Sequence, residues 1–108
     1  MSITLGGDAD VLERIGTALA DPTRRRILAI LLAAPTYPAE LAELLDVSRA
    51  KVSNHLACLR GCGLVKATRE GRQVRYELAD ERLAGALREL ARIVLNSSAC
   101  PAHLEPRP

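Results

Sequence analysis

Residues 38–60 read PAELAELLDVSRAKVSNHLACLR. Two short helical patterns stand here, joined by the tight connection Asp46-Val47. The first is expected over Pro38–Leu45, with Thr36 or Tyr37 as its cap and Leu41, Leu44 and Leu45 as its apolar residues. The second is expected from Arg49 to about Arg60, capped by Ser48, with the stripe Val52, Leu56 and Leu59. Such a pair is a helix-turn-helix unit, and its second helix is slim enough to enter a major groove of DNA. If that stripe faces inward, the helical period sends Ala50, Ser53, Asn54 and Ala57 outward. Ser53 and Asn54 are short polar groups suited to base edges, and an Asn amide can pair bidentately with adenine. Arg49 and Lys51, in the first turn, suit phosphates. Three roles are open for His55: touching DNA, completing a local hydrogen-bond network, or binding metal.

Downstream, Leu64–Arg69 and Gln73–Leu78 alternate roughly and are rich in Val, Thr and Tyr, with Glu70-Gly71-Arg72 as a turn. This hairpin is expected to form a wing that brings Arg69, Arg72 and Arg75 to phosphates beside the groove. Upstream, a helix is expected from about Ala9 to Leu19, after a loose start over residues 1–8. Asp21-Pro22 restarts the chain into a second helix, Thr23–Ala33. A last helix is expected from about Asp80 to Val94, carrying Leu83, Leu87, Leu90, Ile93 and Val94. The fold class is therefore mainly α with a β-hairpin: a winged helix-turn-helix over residues 1–96, followed by a Pro-rich tail over 97–108.

Composition agrees with that architecture. The chain has 108 residues, of which 48% are hydrophobic and only Tyr37 and Tyr76 aromatic, so its core has to be Leu, Ala, Val and Ile. A chain this short buries a modest share of its surface, and an oligomer interface would help it. From Arg49 to Arg75 seven basic residues face one acid, Glu70, so the net charge of +2 hides a concentrated basic stretch that attracts phosphates. The first ten residues carry Asp8 and Asp10 and lack a basic start with an apolar run, so no secretory signal is expected. No apolar run is long enough to span a membrane, and a cytoplasmic setting with reduced thiols is expected. An enzyme is not expected: neither histidine pairs with a nucleophile and an orienting acid, and no glycine-rich phosphate loop is present.

Three cysteines remain to be explained. Cys58 and Cys62 are four apart, which on a helix places both side chains on one side with Cβ atoms about 5–6 Å apart. Two readings stand: small residues filling the core, or a pair of thiolates sharing a soft ion. Cys100, in the tail, has no core to fill and could fold back as a third sulfur. Thiolate ligands select cadmium, lead, zinc or copper(I), and three sulfurs without a clear fourth ligand lean toward large thiophilic ions. His103 and Glu105 are further candidate ligands.

The runs ADPTRRRIL (20–28), ELA (40–42), VSNHLACL (52–59), GLV (63–65) and EGRQVRY (70–76) together resemble the ArsR/SmtB family of bacterial metal-sensing repressors, over about residues 9–96. The resemblance implies a dimeric winged-helix protein whose first and last helices build the interface. It implies operator DNA as partner in the metal-free form and release on binding an inducer. The family's arsenic-type site needs a Cys-x-Cys in the short helix before the recognition helix, and residues 40–45 hold no cysteine. Its zinc-type positions along the last helix read Asp80, Arg82, Ile93 and Asn96, of which only Asp80 suits a metal. The cadmium/lead-sensing branch known from mycobacteria pairs two cysteines near the recognition helix with one in the tail. Cys58, Cys62 and Cys100 match that pattern, implying Cd(II) or Pb(II) as inducer, with Zn(II) as a further candidate.

Overall fold

The structure is a computed structural model and describes residues 3–96, with side chains over 8–93. Five helices and one hairpin follow in order: α1 (Ile3–Ala20), α2 (Pro22–Ala33), α3 (Pro38–Leu45), α4 (Arg49–Gly61), β1 (Val65–Glu70), β2 (Gln73–Leu78) and α5 (Glu81–Asn96). The element order is the expected one. The first helix differs, beginning at Ile3 rather than near Ala9. Gly6 and Gly7 lower helix propensity by about 1 kcal/mol each, but no proline or cap stands there to end the helix.

Local chemistry sets the junctions. Asp21 caps α2, its Oδ2 accepting from the Arg24 amide at 2.9 Å, with Pro22 at the first helical position. Thr36 and Tyr76 exchange backbone hydrogen bonds of 3.0 and 2.8 Å, fastening the loop before α3 to the wing. Tyr37 occupies the cap position of α3 without a side-chain capping bond, while the buried Thr36 hydroxyl donates to Glu40 Oε1 at 2.7 Å. Asp46 turns the chain between α3 and α4 with φ 56°, a left-handed conformation that Asp tolerates better than most residues. Ser48 caps α4 by accepting from the Lys51 amide at 3.0 Å. At its other end Gly63 takes φ 82° and the Leu64 amide reaches back to Leu59 O at 3.0 Å, the Schellman arrangement. In the wing, the register Glu70↔Gln73 leaves Gly71-Arg72 as a two-residue loop. Positive φ falls on Gly71 alone, which fits a type II′ turn. Asp80 then starts α5, accepting from the Arg82 amide at 2.8 Å.

One core lies under these elements: Ala18 of α1, Ile27, Leu28 and Leu31 of α2, Leu41, Ala42 and Leu45 of α3, Val52, Leu56 and Leu59 of α4, and Leu64 and Val65 leading into the wing. Leu44, expected on the apolar side of α3, is exposed, because Leu41, Ala42 and Leu45 already cover the face that packs on α4. Aliphatic residues of α1 and α5 also stay in water: Val11 is 44% exposed, Leu12 66%, Leu90 57% and Ile93 59%. Among the described residues, no helix is long and apolar enough to cross a membrane.

Candidate nucleic-acid interface and metal centre

Burial of Val52, Leu56 and Leu59 fixes the rotation of α4 about its axis. Arg49, Ala50, Lys51, Ser53, Asn54 and Ala57 are therefore exposed, as their spacing requires. Ser53 and Asn54 form a short polar strip, with Arg49 and Lys51 at its N-terminal end. At the wing tip Arg69 and Arg72 are exposed, and Arg69 Nη1 donates to Gly71 O at 3.3 Å. Arg49 and Arg72 both line a groove of about 260 Å³ that runs from the start of α3 to the hairpin turn.

Arg75 is placed differently from its neighbours. Strand alternation puts it on the same face as Glu77, and its Nε lies 3.0 Å from Glu70 Oε2 while Nη2 lies 3.9 Å from Glu77 Oε2. The Nε atom is buried and its approach to Glu70 lacks hydrogen-bond direction, so this is a charge contact. Glu70 is held from the other side by the Tyr37 hydroxyl at 2.8 Å, and the shared proton pushes the Tyr37 pKa up. Arg75 thus sits half-buried between two carboxylates on one face of the wing, unlike the exposed Arg72 at its tip.

His55 is half-buried and belongs to a network. Its Nδ1 lies 3.4 Å from Arg24 Nη1 and its Nε2 lies 3.7 Å from Asp21 Oδ2. Guanidinium can only donate, which makes Nδ1 the acceptor and assigns the ring proton to Nε2, facing the carboxylate. The Arg24 amide first, then electrostatic attraction from the His55 ring and the Arg24 guanidinium, hold the Asp21 carboxyl below its ordinary range against the opposing effect of burial. Sequence reading did not single out Arg24. Its place in the ADPTRRRIL run shows a capped helix start, but nothing local says which helix the guanidinium will reach.

Cys58 in the last turns of α4 and Cys62 at its C-cap are free, half-buried thiols, and Cys62 lies against the core. Cys62 Sγ donates to Arg14 O of α1 at 3.7 Å. Burial first, then the adjacent Cys58 thiol, pushes the Cys62 pKa up, with the Arg14 and Arg24 charges opposing. Two sulfurs one helical turn apart, shielded on one side, suit a single soft ion. Among the described residues no third His, Cys, Asp or Glu joins them. Cys100, His103 and Glu105 lie outside the described residues.

Comparison with known proteins places this geometry. Residues 21–67 match the family described as "Bacterial regulatory protein, arsR family". The regulator CmtR of Mycobacterium bovis is 64% identical over 84 residues, covering 78% of this chain and 71% of that protein. A probable mercury resistance operon repressor of Streptomyces lividans is 43% identical over 75 residues, covering 69% of this chain and 60% of that protein. Among solved structures, the cadmium metal-sensor CmtR of Mycobacterium tuberculosis aligns with TM-score 0.64 and 57% identity, over 88% of this chain and 99% of that one. The homodimeric winged helix-turn-helix domain of a possible ArsR-family regulator from M. bovis aligns with TM-score 0.78 and 30% identity, over 89% of this chain and 88% of that one. With this helix order, wing and likeness, the chain belongs to the arsR family of bacterial regulatory proteins, transcriptional regulators built on a winged helix-turn-helix.

Proposed function

We propose that this chain is a metal-responsive repressor that binds operator DNA as a metal-free homodimer and lets go on taking up Cd(II) or Pb(II), with Zn(II) a weaker candidate. The observation that carries this reading is the position of the thiol pair. Cys58 belongs to, and Cys62 caps the C-terminal end of, the helix whose outer face presents Ser53 and Asn54. An ion held by those sulfurs acts directly on the helix that would read the groove. Two relatives support a thiophilic ion, one named a cadmium sensor and one a mercury resistance repressor.

Ser53 and Asn54 read bases, while Arg49, Lys51, Arg69 and Arg72 neutralise phosphates and make binding salt-dependent. His55 serves the interface by orienting α4. Arg75 braces the wing and contributes to the field without a direct phosphate contact. The exposed aliphatic residues of α1 and α5 are covered in a homodimer, which sets two recognition helices about one turn of DNA apart. The third sulfur comes from Cys100 in the tail, and the protein works in the cytoplasm, where its thiols stay reduced.

Thiolate-to-cadmium absorbance in the near ultraviolet counts the sulfurs. Cys100→Ser is expected to retain DNA binding, lose one sulfur's absorbance and lose most cadmium-driven release. Full absorbance and full release in that variant would rule Cys100 out of the site.

A further inference from the structure

The carbonyls at the end of a helix lack helical partners. In α1 they are taken by side chains from other helices. Thr17 O and Ala18 O accept from Arg24 Nη2 and Nε, each at 2.9 Å. Arg14 O, one turn earlier, accepts from Cys62 Sγ at 3.7 Å. The remaining terminal nitrogen of Arg24, Nη1, faces His55 Nδ1 of α4 at 3.4 Å. Its backbone amide is fixed by Asp21 Oδ2, the same carboxylate oxygen that lies 3.7 Å from His55 Nε2. One guanidinium on α2 therefore touches the end of α1 and the middle of α4.

We propose that Arg24 is the positioning residue that holds the recognition helix on the frame of α1 and carries a change at the Cys58–Cys62 pair into that frame. This rests on the metal-responsive reading above. The argument is geometric. Val52, Leu56 and Leu59 bury α4 by apolar contact, which resists separation but has little direction. Among the described residues, direction comes from two polar attachments of α4 to α1: the Cys62 thiol on Arg14 O, and His55 through Arg24 to Thr17 O and Ala18 O. His55, Cys58 and the C-cap residue Cys62, whose backbone stays in the right-handed helical region, follow at steps of three and four and so line up on one side of α4. Cys62 bound to a metal as thiolate no longer donates to Arg14 O. One attachment is then gone, and the Arg24 link alone relays any shift of that face to α1. A planar fork with separate nitrogens for three acceptors can do this, whereas a lysine ammonium cannot hold them in a fixed geometry.

The test reads a ratio: affinity for DNA without cadmium divided by affinity with saturating cadmium chloride. The probe is a labelled duplex selected from a random pool by the metal-free wild-type protein. Using the ratio matters, because a lost DNA contact weakens both states alike. Thiolate absorbance confirms saturation in each variant, and circular dichroism confirms folding. The wild-type ratio is expected in the range of about 5–150, and Arg24→Gln and His55→Met are expected to bring it within about threefold of one. His55→Gln, whose amide oxygen can still accept from Arg24, is expected to keep the wild-type ratio. Should Arg24→Gln fail to fold, the two His55 variants decide. Release of wild type and variants alike overturns the role of Arg24 and leaves the metal-responsive reading standing. Cadmium that saturates the wild type without releasing it removes both.

Discussion

Cys62 joins two kinds of chemistry in one side chain: as a thiol it helps dock α4 on α1, and as a thiolate it is available to a soft ion. Its pKa is raised by burial, so the folded metal-free protein keeps a proton that the unfolded chain gives up more readily. That stability is fully present below the ordinary thiol value of 9.0 and is lost as pH rises past it. Metal-free wild type should therefore show a steeper fall in Tm above that pH than Cys62→Ser. Asp80 runs the other way. Its paired Arg82 side chain and the Arg82 amide lower it to about 2, so its contribution is present above the ordinary 3.8 and disappears as pH falls through the lowered value. Asp80→Ala should lower Tm at neutral pH, and the gap to wild type should close near pH 2. Single residues were unevenly legible in the sequence. The outward Ser53 and Asn54 followed from helical period alone. The pull on Arg75 did not, because Glu77 shares its face by strand alternation but Glu70, the nearer acid, reaches it only through hairpin register. The Arg24–His55 contact spans 31 positions, beyond what any local pattern encodes.

Among the elements, α4 and the wing carry most of the proposed DNA interface. Leu56 is fully buried, and Leu56→Ala should cost about 2–5 kcal/mol of stability, measured by urea unfolding. The wing separates two kinds of arginine. Arg72→Ala should weaken DNA binding on all sequences and lower the salt dependence of log affinity by about one unit. Arg75→Ala should instead lower Tm and leave that slope unchanged, because its charge is already engaged by Glu70 and Glu77. Helices and hairpin were legible because capping residues, proline, glycine and apolar spacing agree at each junction. The Thr36↔Tyr76 bridge was not, since a single paired residue has no period to detect. The start of α1 is hidden for a related reason: Gly6-Gly7 weakens a helix without stopping it.

At the scale of the molecule, one aliphatic core supports an exposed polar and basic face on α4 and the wing, and α1 and α5 keep aliphatic side chains in water. Leu90→Glu should shift sedimentation toward monomer and weaken DNA binding, since two half-sites are held only by a pair of recognition helices. Mechanically, the thiol pair sits at the C-terminal end of the helix that presents Ser53 and Asn54, so in the proposed function an ion at one end acts on the other. The most direct check is the affinity of the wild-type dimer for its selected duplex, measured by fluorescence anisotropy metal-free and again with the thiol pair saturated by cadmium. The account predicts binding weakened by about 5–150-fold on saturation. Equal affinity in the two states across a range of salt concentrations would contradict it.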